Sequence, residues 1–418
     1  MTHFAIISPP YRGHLNPMLA LADSLIARGH RLTVFGQPDL EQLVACPGVD
    51  FVAVGQATHP AGTLTRMTAR LGSTRGLLGI RGVIRDLVRT TGMLCAELPE
   101  AIAAHGADAI LCDQTEPAGG LVARHLGLPQ ISVANALLIN REALIPPPFV
   151  DWRFEDSEWG VTRNRGGYRI ADLLMRPVTA CIRAQAEQWG LGPVATIEDC
   201  LSPMLQLSQT VPGFDFPRRH APSSLVHVGP IRGVEDAEFR PADLRPWVFC
   251  SLGTLQGARA WIFRTVAKAC TALDLGLVIA HGGQLAPGQA TRLARSAQVA
   301  PLWPQRAVIA QADVVVTHGG LNTVLDALAA GVPLIVVPLA FEQGAIAARV
   351  ERCGAGLTIP PRRLTATRLR DAIRMLRTDA AFRHNAQNLA REIAEAGGVA
   401  RAADLIEAAL APPLRSNG

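Results

Sequence analysis

The sequence predicts an α/β chain of two doubly wound parallel-sheet domains that face each other across a cleft. Apolar runs of strand length alternate with stretches carrying helical stripes, the pattern restarts midway, and a segment rich in Gly, Pro and charge separates the two sets. A length of 418 residues suits two or three domains, and 49% hydrophobic with 18% charged residues is a composition that buries large cores.

The first set opens with FAIIS (4–8), a Pro/Gly-rich loop PPYRGHLNP (9–17), and a helix in which Met18, Leu21, Ala22, Leu25 and Ile26 line one face before Gly29 stops it. RLTVF (31–35) completes a βαβ unit with a right-handed crossover. Further strands are expected in GADAILCD (106–113), followed by the helix PAGGLVARHLG, and in LPQISVA (128–134). The second set starts at RPWVFCSLGT (245–254) and continues through LGLVIAHGG (275–283), ADVVVTHGG (312–320) and VPLIVVP (332–338). Domains over 1–230 and 247–418 are therefore expected around a linker at 231–246, with the final helix near 399–410 packing back on the first domain. Residues 141–180, with PPPF, two tryptophans and RNRGGY, lack a clean period and read as an irregular insertion.

Composition removes several classes of function. The net charge is +5, but Lys268 is the only lysine and the arginines are scattered, without a basic run interleaved with aromatics, so no nucleic-acid partner is expected. The eight cysteines show no C-x-x-C, and several lie in apolar runs, as reduced core residues of a cytoplasmic protein do. The N-terminus lacks the basic and long apolar regions of a signal peptide, and no run reaches the ~20 apolar residues of a membrane helix. The expected place is the cytoplasm, with peripheral contact at the inner face of the membrane left open.

In open α/β sheets ligands bind beyond the C-terminal ends of the strands. His14, Asp113, Ser251 and His318 all stand just after strand runs. In HGGLNTVLDAL, Leu321, Val324, Leu325 and Leu328 form an apolar stripe, leaving Asn322, Thr323 and Asp326 elsewhere at a helix start whose free N–H groups and dipole attract an anion. Ser251 and Thr254 of SLGT, Gln305, His318, Gly320, Asn322, Thr323, Asp326 and the pair Glu342–Gln343 together suit a nucleotide sugar: donors for a diphosphate, a carboxylate for ribose, a polar pair for sugar hydroxyls. A nicotinamide oxidoreductase fits worse, because SPPYRGH is not G-x-G-x-x-G and no acidic residue ends RLTVF. No two aspartates are two residues apart, so the Asp-x-Asp metal clamp of other sugar transferases is missing and no metal is expected.

PQ…THGGLNTVLDAL…GVPLIVVPLAFEQ resembles the donor signature of the UDP-sugar glycosyltransferases of the GT-B fold, which pair two Rossmann-like domains. RGHLNP with GHRLTVF resembles their acceptor-side signature. Within that family, HPAGTLTR (59–66), RTTGMLCAELPEA (89–101), the stretch 113–142 and LSQTVPGFDFPRR (207–219) are similar to the bacterial enzymes that glucosylate zeaxanthin. The resemblance implies that His14 is the general base and Asp113 its partner. It places His318 on the diphosphate, with Ser251, Thr254, Gly320, Asn322 and Thr323 around it, and Asp326 where the family has a glutamate on the ribose. Gln305 would lie near the uridine, and Glu342 and Gln343 would hold the sugar. Leu302 stands where the family carries its uracil-stacking tryptophan and Trp303 comes one place late, so no indole stack is expected.

The implied reaction is inverting transfer of glucose from UDP-glucose to a hydrophobic alcohol, a carotenoid, with neither metal nor cofactor. Other hydrophobic acceptors (a macrolide, flavonoid or sterol) stay open, as does a catalytically silent nucleotide-sugar binder, which needs only the second half. Simpler readings exist for single residues: His14 as a surface loop histidine, Asp113 as a helix cap, the glycines of HGG as a tight turn, and Glu342–Gln343 as a capping pair.

Overall fold

The structure is a computed structural model that describes residues 1–44, 46–73, 76–235, 237–241 and 245–411, the side chains of 73 and 76–78 excepted. Two wholly parallel sheets organise it. The first contains β1 (His3–Ile7), β2 (Arg31–Gly36), β3 (Val49–Ala53), β4 (Ala109–Asp113), β5 (Gln130–Ala134), β6 (Leu205–Ser208) and β7 (Leu225–His227), in the order β3-β2-β1-β4-β5-β6-β7. The second contains β8 (Trp247–Ser251), β9 (Gly276–Ala280), β10 (Gln298–Ala300), β11 (Val314–Thr317), β12 (Leu334–Val336) and β13 (Gly356–Thr358), in the order β10-β9-β8-β11-β12-β13. The central strands are buried on both faces, which is why they read as unbroken apolar runs. In each sheet the strand order reverses once, between β1 and β4 and between β8 and β11, and a crevice opens beyond the strand ends there.

Two sequence expectations are corrected. The first helix spans Arg12–Ile26 and so takes in His14 and Pro17, which the sequence pattern places in the loop. Pro17 has no N–H to give the carbonyl four residues back, that of Gly13, which is left free for another donor. The stretch 141–180 is not irregular throughout: a 31-residue helix covers Glu158–Gln188. Its buried positions are Gly160, Asn164, Gly167, Ala171, Val178, Ile182 and Ala186. That face is periodic, but small or polar residues fill much of it because the contacts are close; a Cβ on Gly167 would stand 2.8 Å from the Trp152 ring.

The halves meet through several polar contacts. Arg349, on the helix Gln343–Arg352, donates Nε to Asp215 at 2.8 Å, with the two side chains 1% and 4% exposed. The helix Gly398–Leu410 lies against Arg12–Ile26 and adds Ala402, Ala403 and Ile406 to the core containing Leu15, Met18 and Leu21. Arg28, just past the end of Arg12–Ile26, donates to Asp404 and Glu407 on Gly398–Leu410.

Candidate active site

Both reversals of strand order fall where the sequence placed chemistry. In the first sheet β1 and β4 run in register, Ile7 beside Cys112, so the helix after β1 starts next to the residue that ends β4. His14, in the first turn of that helix, meets Asp113 with Nδ1 2.9 Å from Oδ2. Asp113 is fully buried while His14 keeps 24% of its side chain exposed, enough to face a substrate. Asp113 is not the cap of the next helix. That role belongs to Glu116, whose side chain accepts from Ala118 N at the start of Pro117–Leu126. Burial raises the Glu116 pKa to about 7.

Asp113 accepts on both oxygens. Oδ1 takes Thr115 N at 2.8 Å and Thr115 Oγ1 at 2.6 Å, while Oδ2 takes Asn135 Nδ2 at 2.7 Å as well as His14. Burial works to raise the pKa of this carboxyl, but His14 and the Thr115 donors outweigh it and hold it below the ordinary value. Burial likewise works to lower the His14 pKa, and the charge of Asp113 and the hydrogen bond to it, with Glu342 adding its charge, leave it raised above 6.5. The dyad is thus an ionised carboxylate on one ring nitrogen and, on the other, a base stronger than a free imidazole.

In the second sheet Ser251 and Thr317 are paired at the ends of β8 and β11, which brings Ser251 beside His318. A Cβ on Gly253 or on Gly320 would lie 2.8 or 2.6 Å from His318 Cε1, so the imidazole occupies a slot that only glycines leave open. Gly319 turns the chain at φ 93°. Burial lowers the His318 pKa to about 4, against a hydrogen bond with the Ser251 backbone, so the ring is neutral at pH 7. The helix Leu321–Ala329 begins at Gly320 with no side chain capping it, leaving first-turn N–H groups for an anion. Thr254, half-buried on the short helix Gly253–Gln256, lies at the same end of the sheet.

The other donor-side positions carry internal contacts. Asp326 accepts from Gln305 Nε2 on Oδ2 at 2.7 Å and from Arg232 Nε on Oδ1 at 2.8 Å, and Thr323 Oγ1 reaches Gln305 Oε1 at 3.4 Å. Gln343 uses its amide oxygen on Leu339 N and Ala340 N, folding the loop before its own helix. Glu342 reaches across the cleft, where Oε2 accepts from Leu137 N at 3.1 Å. Asn322 crosses as well: its Nδ2 donates at 2.9 Å to the Gly13 carbonyl that Pro17 leaves free. Trp303 is turned inward, donating to Ile279 O at 3.0 Å with its ring edge-on to Phe239, while Leu302 is 63% exposed. Among the described residues no group of three His, Cys, Asp or Glu side chains is arranged to hold a metal ion.

Residues 264–407 match the family described as erythromycin biosynthesis protein CIII-like, C-terminal domain. The chain is 39% identical to a zeaxanthin glucosyltransferase of Pantoea ananas over 97% of its own length and 96% of that protein's. It belongs to the GT-B glycosyltransferases. A second zeaxanthin glucosyltransferase, from Pseudescherichia vulneris, is 36% identical over 98% of each chain. Among solved structures, that of a calicheamicin glycosyltransferase superposes with a TM-score of 0.77 at 25% identity, covering 98% of both chains. The protein is therefore a sugar-transferring enzyme with two Rossmann-like halves.

Three polar residues of this glycosyltransferase escaped the sequence reading. Asn135 and Gln209 directly follow β5 and β6, and Arg232 lies between β7 and β8. The strand-end rule that picks out Asp113 after β4 applies equally to Asn135 after β5, whereas Gln209 follows β6, which the sequence analysis does not predict as a strand.

Proposed function

We propose that this glycosyltransferase transfers glucose from UDP-glucose to the terminal hydroxyls of zeaxanthin, with inversion, giving first the mono- and then the diglucoside. The observation that carries the reading is the His14–Asp113 pair at 2.9 Å, linked across the cleft through Asn322 and Gly13 to an uncapped helix start. The two relatives named as zeaxanthin glucosyltransferases support the acceptor. An alcohol has a pKa far above neutral, so its attack on the anomeric carbon needs a base; His14 takes the proton and Asp113 stabilises the imidazolium. Negative charge gathers on the departing diphosphate, where the N–H groups at Leu321–Thr323 and the neutral His318 ring meet it without a metal. Ser251 and Thr254 lie beside them, Asp326 and Gln305 take the ribose and uridine, and Glu342 and Gln343 take the glucose.

Such an acceptor resides in membranes, and no helix among the described residues is long and apolar enough to cross one. The reading therefore includes peripheral contact from the cytoplasmic side. The outer face of Glu158–Gln188 suits it: Ile170 and Leu173 are each 61% exposed, flanked by exposed Arg165, Arg169 and Arg176.

The test is a time course with UDP-glucose and detergent-dispersed zeaxanthin in excess chelator. Monoglucoside should rise and then decline as diglucoside forms, and His14→Ala should cut turnover by about 10²–10⁴ while UDP affinity stays near wild type. Product from a compact flavonoid or macrolide with none from zeaxanthin would refute the acceptor. Activity abolished by chelator and restored by Mg²⁺ would refute the metal-free step.

A further inference from the structure

An unbroken line of side-chain hydrogen bonds joins the base to the donor half. From Asp113 it passes to Asn135, whose Nδ2 donates at 2.7 Å, and then to Gln209, whose Nε2 donates to Asn135 Oδ1 at 2.9 Å. Arg232 Nη1 donates to Gln209 Oε1 at 2.7 Å, and Arg232 Nε to Asp326 Oδ1 at 2.8 Å. The remaining nitrogen, Nη2, faces both the backbone and the side-chain oxygen of Asn322 at 3.2 Å each. Asp113, Asn135 and Gln209 stand at the ends of three adjacent strands, β4, β5 and β6, and are 0%, 4% and 0% exposed.

The charged ends fix the direction of the line. An ionised carboxylate only accepts and a guanidinium only donates, so Asn135 must turn its nitrogen to Asp113 and Gln209 its oxygen to Arg232. Both amides then point the same way, and reversing either would leave buried polar atoms clashing or unpaired. Only Arg232, between β7 and β8, touches both halves of the line. A tether between domains would need one ion pair. This arginine divides five contacts between Gln209, the Ile231 carbonyl, Asp326 and the two oxygens of Asn322.

We propose that Arg232 is a positioning residue that couples the two substrate sites, holding Asp326 ready for the ribose while, through Gln209 and Asn135, it fixes the carboxylate behind His14. This rests on the donor and base assignments of the proposed function. A displacement of Asp326 pulls on the guanidinium and hence on the amide that orients Asp113. Coupling of this kind is reciprocal, so a change on the acceptor side must alter donor affinity by the same factor that donor binding alters the acceptor side.

The test compares Gln209→Met, Arg232→Met and Arg232→Lys by two readouts that need no acceptor: calorimetric titration with UDP, and the His14 titration followed by NMR on histidine-labelled protein. The charged groups bearing on His14 are Asp113 and Glu342, and none of the three variants removes either. Gln209→Met leaves the Arg232–Asp326 pair in place, yet it should weaken UDP binding about fivefold. It should also raise the His14 pKa, because Asn135, no longer held by Gln209, keeps its nitrogen on Asp113 less firmly, and a carboxylate with a weakened donor holds the imidazolium more tightly. Arg232→Met should do both more strongly, and Arg232→Lys should not rescue, since one ammonium with three donors cannot serve five contacts to four partners in fixed directions. A Gln209→Met protein that matches wild type in UDP affinity and His14 titration overturns the coupling, as does an Arg232→Met protein changed only in thermal midpoint. Wild-type protein that binds UDP but does not glucosylate zeaxanthin would fail the acceptor reading while leaving this coupling measurable.

Discussion

Asp113 collects four donors on one carboxylate, and that crowding decides how the base titrates. His14 is active when neutral, and its pKa is raised above 6.5 against the pull of burial, so the acid limb of kcat/KM lies above that value. Asp113→Asn removes the charge that raises the pKa but leaves the burial that lowers it. The acid limb of the pH–rate profile should move to lower pH, with turnover down by about 10²–10⁴ because the tautomer is no longer enforced. A limb that stays in place would remove Asp113 from the dyad. His14 and Asp113 were legible because each follows a long apolar strand at a switch of strand order. Asn135, after β5, is legible by the same rule, but Gln209 and Arg232 are not, since one polar residue in a loop looks like ordinary solvation until the topology brings the strand ends and the segment after β7 together.

At the scale of the element, the start of Leu321–Ala329 combines an uncapped turn with a glycine slot around His318. Gly320 has φ −64° and ψ 128°, which alanine adopts freely, so Gly320→Ala strains no backbone. Its methyl would stand 2.6 Å from the imidazole and push the ring out of the slot. Calorimetry should show UDP affinity down by about tenfold, close to 1.4 kcal/mol, with the thermal midpoint barely changed. Unchanged affinity would mean that His318 does not touch the diphosphate. This helix was readable because Leu321, Val324, Leu325 and Leu328 are large, apolar and at helical spacing. Glu158–Gln188 has the same spacing in its buried positions, but glycine, alanine and asparagine occupy many of them, and a hydrophobic pattern registers size as much as position. The strands β3, β6, β7, β10 and β13 are not predicted for a related reason: β3, β7, β10 and β13 are only partly buried, and β6 is four residues long.

Across the whole molecule, the contact between halves is anchored by a charge with no access to water. Asp215 is held by Arg218 at 2.9 Å and Arg349 at 2.8 Å, and the Arg349 guanidinium lies 4.1 Å from the Phe216 ring centre. Those two cations outweigh burial and hold the Asp215 pKa far below the carboxylate range, so its stabilising effect is fully present above the ordinary carboxylate pKa and is lost progressively as pH falls from there towards that depressed value. Arg349→Met should destabilise the protein by about 3–5 kcal/mol in urea melts, because the carboxylate loses a partner where water cannot replace it. The helix Gly398–Leu410 has a different consequence, one of timing. Ala402, Ala403 and Ile406 belong to the core of the first half, yet the ribosome makes them only after the whole second sheet. The half that begins first can therefore finish only after the other, and until then Leu15, Met18 and Leu21 lack the side of their core that this helix supplies, a natural target for a chaperone at the exit tunnel.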